Sequence, residues 1–152
     1  KWKKENKKTT NKKTVIAKQY YQSRKKIHLV KTKKEIDDNI FKEDFKIVDA
    51  RSKNRFLGLE KESRPGLRSG SIKNSYCLPF MDLINKEDKT FKDKEFIKKK
   101  FKDIGIVNEN NIVFSCGSGI TASVLALAYS MINDKYSPTV YDGSWAEYGM
   151  IK

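Results

Sequence analysis

An α/β domain with a central, mostly parallel sheet flanked by helices on both faces is the fold class this sequence predicts. Three observations carry it. The chain has 152 residues, of which 38% are hydrophobic, the size and apolar share of one domain with a single sizeable core. Short apolar runs of strand length alternate with segments of helical period, the pattern of strands joined by crossover helices. The run Asn111-Ile-Val-Phe-Ser115 is continuously apolar and β-branched at its centre, as befits a strand covered on both faces.

The elements follow in order. Residues 1–26 have no apolar period and read as a basic linker or arm, with Trp2, Tyr20 and Tyr21 as aromatic anchors, which leaves 27–152 for the compact domain. Within it we expect a strand at Ile27 to Val30, a helix near Lys33 to Ile40 and a strand at Phe45 to Asp49. Ser52 to Ser71 contains Pro65, Gly58, Gly66 and Gly70 and should be irregular, apart from a helical turn around Asn54 to Leu57. Loops of that length usually bind something. Ser75 to Leu78 is a short strand stopped by Pro79.

A helix from Lys92 to Asp103 turns Phe96, Ile97, Phe101 and Ile104 inward, leaves its lysines in water and ends at Gly105. The buried strand at Asn111 to Ser115 then leads straight into Cys116. Ile120, Val124, Leu127, Ala128 and Met131 repeat at helical spacing, so a helix over Gly119 to Asn133 is expected to lay that face on the sheet. Ser137 to Tyr141 supplies a last strand, and Asp142 to Trp145 a turn. No internal repeat is visible.

Composition narrows the function. The net charge is +14, yet residues 1–34 hold 14 basic side chains against one acid, while the other 118 hold 19 basic and 18 acidic. The body is therefore close to neutral, and without aromatic residues interleaved on a sheet, specific nucleic-acid binding is not expected. No run approaches a membrane span, and the start lacks the apolar core of a secretory signal, so a cytoplasmic protein with no membrane association is expected. Two distant cysteines and a single histidine, His28, offer no metal-ligand spacing; no metal and no cofactor are expected, and both thiols should be free.

Cys116 is the candidate nucleophile. It stands at the carboxyl end of a central strand, where open α/β sheets place their ligands, and the next helix points its positive end at it. Gly117 and Gly119, flanking Ser118, let the backbone curl so that successive N–H groups through Ile120 and Thr121 converge on one point. Such a cradle favours thiolate over thiol. The bland alternative is a buried structural cysteine, and that is the reading adopted for Cys77, which has no glycine or cation close in sequence. Phosphate-ester hydrolysis would need an arginine six residues after the cysteine, where Ala122 stands; a Cys-His protease would have to recruit His28 from the first strand.

These residues resemble a known family. VDARS at 48–52, RF at 55–56, RPGLRSG at 64–70, LPF at 78–80, CGSGITAS at 116–123 and YDGSWAEYG at 141–149 occur in the order found in the C-terminal, catalytic half of tandem-rhodanese sulfurtransferases. The Gly117-Ser118-Gly119 loop is similar to that of 3-mercaptopyruvate sulfurtransferases, whereas thiosulfate-using members carry basic residues there. The resemblance implies a rhodanese-like fold. It also implies that Arg55 and Arg64 bind the carboxylate and carbonyl of 3-mercaptopyruvate, that the Cys116 thiolate takes its sulfur, and that Ser118 donates to the carbonyl or relays a proton. Sulfur would then pass to a thiol acceptor, such as thioredoxin or a small thiol, or to cyanide. For Arg51 and Arg68, pairing with Asp49 or Glu60 is expected.

Two departures stand out. The family's Gly-His-Ile-Pro-Gly-Ala signature appears as Gly70-Ser71-Ile72-Lys73-Asn74-Ser75. The inactive N-terminal rhodanese half is absent, and Trp2 to Thr14 is similar to the linker between halves, so a missing N-terminal domain is an expected partner and activity alone is expected to be weak. The same-fold alternative is a thiosulfate sulfurtransferase. From another class, the chain could be a noncatalytic persulfide carrier or anion-binding module.

Overall fold

In the computed structural model, which describes residues 1–151, five parallel strands form one sheet in the order β1-β5-β4-β2-β3. They are β1 (Val30–Lys31), β2 (Lys46–Asp49), β3 (Ser75–Cys77), β4 (Ile112–Ser115) and β5 (Thr139–Tyr141). Helices α1 (Lys33–Lys42), α2 (Lys53–Phe56), α3 (Lys94–Asp103), α4 (Ile120–Ser130) and α5 (Ser144–Tyr148) connect or follow them. Residues before Ile27 form no helix or strand and are exposed.

Strand burial alternates between two core layers. Ile112, Phe114 and Cys116 of β4 and its exit join Val48, Ala50 and the residues of α3 and α4 on one face; Val113 joins Ile47, Ile36, Tyr141 and Trp145 on the other. A two-residue side-chain period thus becomes two packed layers, which is why β4 had to be apolar throughout. On the first face Phe101, Phe114, Tyr129 and Tyr136 meet edge to face, with centroids 4.7 to 6.0 Å apart in the T-shaped pairs.

Helix ends follow local chemistry. Thr32 accepts from the Glu35 amide while the Glu35 carboxylate accepts from the Thr32 amide, a capping box that opens α1. Asp93 caps α3 by accepting from Phe96 N at 2.8 Å, so that helix starts at Lys94, two residues later than its apolar period suggests.

Three expectations are corrected. The first strand is shorter and begins later: Ile27–Leu29 is a 3-10 turn whose Leu29 and Val30 amides close on the Lys26 and Ile27 carbonyls, and only Val30 and Lys31 pair with β5. Asp142 to Trp145 is not merely a turn, since Ser144 begins α5. On α4 the buried face comprises Ala122, Leu125, Ala126, Ala128 and Tyr129, whereas Ile120 is 75% and Leu127 57% exposed. That helix is apolar almost all round, so its period is ambiguous; its rotation is set by the left-handed backbone at Gly119 (φ +82) and by the close approach that small alanines allow.

The topology locates the crevice. From β2 the chain moves to β3 on one side, and from β4 it moves to β5 on the other, so the connections leaving the two central strands diverge beyond Asp49 and Ser115, which are paired in register. In open α/β sheets this switch point is where ligands bind.

Candidate active site

Cys116 is the first residue past β4 and is 2% exposed. Its Sγ accepts a hydrogen bond from the Ser118 amide at 3.4 Å. Burial works against an ionised sulfur here, but the Thr121 hydroxyl and the amides of Ser118, Ala122 and Thr121 outweigh it and hold the thiol below its ordinary pKa. Cys77 shows the opposite balance: burial first, then Asp49, pushes its thiol up to about 11. Half-buried, it spends its S–H on the Arg51 carbonyl at 3.7 Å.

The cradle is built by α5 as much as by the loop itself. Trp145 N donates to the Cys116 carbonyl and Ala146 N to the Gly117 carbonyl, both at 2.9 Å, which ties down the loop's acceptors, while the Ser118, Thr121 and Ala122 amides serve the sulfur. Ser144, wholly buried, places its Oγ between two loop amides, accepting from Cys116 N and Gly119 N at 3.1 Å each while donating to the Tyr141 carbonyl at 2.8 Å. It does so from a left-handed backbone (φ 49), an unusual conformation for a non-glycine residue.

Removing that oxygen has a predictable result. Ser144→Ala should destabilise the domain by about 1–3 kcal/mol, because two buried N–H groups lose their acceptor. As the amides relax, the pH at which Cys116 becomes reactive should move upward toward the roughly 8.5 of an ordinary thiol. Urea denaturation and the pH profile of alkylation, resolved by cysteine-containing peptide, would measure both.

A cavity of about 260 Å³ opens over the sulfur. Cys116, Gly117, Ser118, Ile120 and Thr121 line it together with Arg55, Glu62, Ser63, Arg64 and Leu67. Gly119 lies buried beneath the loop rather than on the wall. Thus the structure brings together the sequence-predicted residues Cys116, Ser118, Gly117, Ile120, Thr121, Arg55 and Arg64 at one opening. His28 sits elsewhere, on the turn before β1, lining a different hollow with the strand-start residues Ile112 and Thr139; the Cys-His alternative therefore has no geometry.

Behind the cavity runs an ionic chain. Arg51, 3% exposed, donates to Asp49 and Glu62 at 2.7 Å each and to the Gly70 carbonyl at 2.8 Å, and Glu62 in turn binds Arg55. The expected Asp49 partner of Arg51 is present, but the second is Glu62, not Glu60. Arg68 has no ion pair among the described residues; it stacks on Trp145 at 4.5 Å, with Arg51 also 4.5 Å from that ring. The reason is the position of the indole, which is fully buried and donates Nε1–H to the Arg68 carbonyl at 2.8 Å.

Sequence reasoning missed Glu62, Ser144 and the Trp145 stack. Ser144 and Trp145 lie in the YDGSWAEYG motif, so a signal existed, but the motif by itself assigns neither residue a role. Glu62 lies in Lys61-Glu62-Ser63, where nothing in the local pattern marks it.

Fold and site together define an α/β domain in which the Cys116 sulfur is held at a helix-opening loop beside two arginines. The chain belongs to the rhodanese-like domain family, which residues 32–150 match. It is 37% identical over 128 residues to thiosulfate/3-mercaptopyruvate sulfurtransferase 1, mitochondrial, of Arabidopsis thaliana, covering 84% of this chain and 33% of that protein. Against the thiosulfate sulfurtransferase of Mus musculus it is 35% identical over 123 residues, covering 80% of this chain and 41% of that one. The crystal structure of SseA from Escherichia coli, described with the rhodanese fold of 3-mercaptopyruvate sulfotransferases, superposes with a TM-score of 0.77 at 23% identity over 95% of this chain and 52% of SseA, a likeness of fold. The chain thus spans about a third to two-fifths of the length of these curated relatives. No helix among the described residues is long and apolar enough to cross a membrane.

Proposed function

We propose that the chain is a sulfurtransferase domain that takes sulfur from 3-mercaptopyruvate, carries it as a persulfide on Cys116 and delivers it to a thiol or cyanide, releasing pyruvate. The observation that carries this reading is the Cys116 sulfur, held below its ordinary thiol pKa by converging donors, in a cavity that Arg55 and Arg64 also line. Family membership and the names of its relatives support a sulfurtransferase; the neutral Gly117-Ser118-Gly119 loop favours the carboxylate donor.

In the first step the Cys116 thiolate attacks the donor sulfur. An S–S bond forms, the donor's C–S bond breaks, and its electron pair leaves on pyruvate as the enolate, which is then protonated. Arg55 and Arg64 hold the carboxylate and carbonyl, and the Ser118 hydroxyl donates to the carbonyl or passes the proton. The same amides that stabilise the thiolate stabilise the anionic persulfide. In the second step an acceptor thiolate takes the outer sulfur, and Cys116 departs as thiolate.

The rest of the reading is of a piece with this. Residues 1–26 serve as a basic arm and 27–152 as the catalytic unit; an N-terminal rhodanese domain completes the cleft, and thioredoxin or a small thiol accepts the sulfur in the cytoplasm. A thiosulfate-using enzyme is the second reading, favoured by the names of the Arabidopsis and mouse relatives.

The test is pyruvate release from 3-mercaptopyruvate with a thiol acceptor, with thiosulfate plus cyanide run in parallel. Wild type should release pyruvate and Cys116→Ser should not, with the sulfur adduct found on the Cys116 peptide by mass spectrometry. Turnover of thiosulfate alone would favour the second reading. If the wild type accepts sulfur but turns over neither donor, even with a rhodanese N-terminal half supplied, the chain is a carrier.

A further inference from the structure

Glu62 is the one acid on the cavity wall, and it is not free. Its side chain is 2% exposed, with Oε1 accepting from Arg51 Nη1 at 2.7 Å and from Arg55 Nε at 3.3 Å, and Oε2 accepting from Arg55 Nη2. Both partners are cations, and the Arg51 side chain, 1% exposed, is itself tied to a second buried carboxylate, Asp49. The set Asp49, Arg51, Glu62 and Arg55 therefore sums to zero charge.

This arrangement also fixes where Arg55 lies. Its Nε–Nη2 edge is turned to Glu62, and its Nη2 sits so close over Gly117 that a Cβ there would be 3.1 Å away. Nη1 is the guanidinium nitrogen left without a partner among the described residues. Arg64, exposed on the same wall, makes no ion pair among them. The opening thus presents one uncompensated positive charge and one oriented but neutralised arginine.

We propose that Glu62 is a positioning and specificity-determining residue: it holds Arg55 over Gly117 and cancels its charge, so that the cavity favours a sulfur donor with one negative charge over a dianion. The proposal rests on the reading of the Cys116 cavity as the donor site. Electrostatics supplies the mechanism, because in a partly desolvated opening an added or removed unit charge changes anion affinity by an order of magnitude or more.

The experiment compares Cys116 alkylation by iodoacetate, a monoanion, and iodoacetamide, its neutral analogue, in the 152-residue chain. Their rate ratio reports charge at the sulfur and requires no turnover. Glu62→Gln should raise the ratio about tenfold by uncovering the Arg55 charge. It should likewise raise the kcat/KM of thiosulfate relative to 3-mercaptopyruvate. Adding Arg55→Gln to that variant should return the alkylation ratio to within about threefold of wild type, since net charge is restored.

The exposed variant Arg64→Gln, which has no buried partner to lose, should lower the ratio about tenfold and serves even if Glu62→Gln does not fold. An unchanged ratio in folded Glu62→Gln, or in Arg64→Gln, overturns the proposal. If neither donor is turned over by wild type while the alkylation ratios behave as stated, the sulfurtransferase reading fails and the charge partition stands.

Discussion

Gly119→Ala is expected to lower the reactivity of Cys116 by about 100-fold or more. Gly119 adopts φ +82, and a Cβ built on it would lie 2.7 Å from Asp142 Oδ1 and 2.9 Å from the Asp142 carbonyl oxygen. The carboxylate could swing aside, but the carbonyl belongs to the backbone leading into α5, which holds the loop in place through Trp145 N and Ala146 N. The methyl group must therefore separate α5 from the loop or force the loop to turn differently. The left-handed backbone alone costs about 1–3 kcal/mol for a non-glycine residue. Loss of the converging amides should reduce kcat/KM by about 100-fold or more, the order seen when a preorganised anion donor is removed. The check has two parts: single-turnover sulfur uptake, and the pH profile of Cys116 alkylation, whose midpoint should rise toward that of a free thiol.

The second large effect concerns stability. Arg51→Met should destabilise the domain by about 3–5 kcal/mol, the range for breaking a buried ion pair by removing one partner. It leaves the Asp49 and Glu62 carboxylates, each with a side chain 2% exposed, facing each other's charge, and it removes the donor to the Gly70 carbonyl and one face of the Trp145 stack. For a domain whose whole stability is about 5–15 kcal/mol, that is a large share. Equilibrium urea unfolding measures it; a loss below about 1 kcal/mol would mean that the buried charges find water instead.

Acid sensitivity follows from the same network. Burial raises the Glu62 pKa, but the hydrogen bond and charge of Arg55, with Arg51 behind it, outweigh burial and hold the carboxylate below its ordinary range. Because the folded-state value is depressed, the contribution is complete above the unfolded value of about 4.3 and is lost as pH falls through the folded one. Wild type should therefore lose stability on acidification below about pH 4.3, and Glu62→Gln should lose less over the same interval.

Much of this protein was legible before its structure. Four of the five strands, the Pro79 stop, the irregular stretch from Ser52 to Ser71 and the Cys116 loop all follow from short-range rules: period, β-branching and the backbone freedom of glycine. Arg55 and Arg64 were identifiable by resemblance because their motifs are contiguous in the chain. The errors have a common origin. The rotation of α4, the role of Ser144 and the pairing of Glu62 depend on residues that meet across 25 or more positions, or across an ionic chain with no local period.

By itself, then, the sequence determined the class of sheet and the glycine loop that surrounds Cys116, since each is set by the conformational preferences of residues adjacent in the chain. Tertiary structure alone decided which face of α4 is buried and that α5 clasps the loop carbonyls. It also decided that the Ser144 hydroxyl ties two loop amides together and that Glu62 pairs with Arg55. Those are matters of which side chains, dipoles and charges are packed against one another across the fold, in surroundings too dry for water to substitute, and only the closed fold sets that proximity.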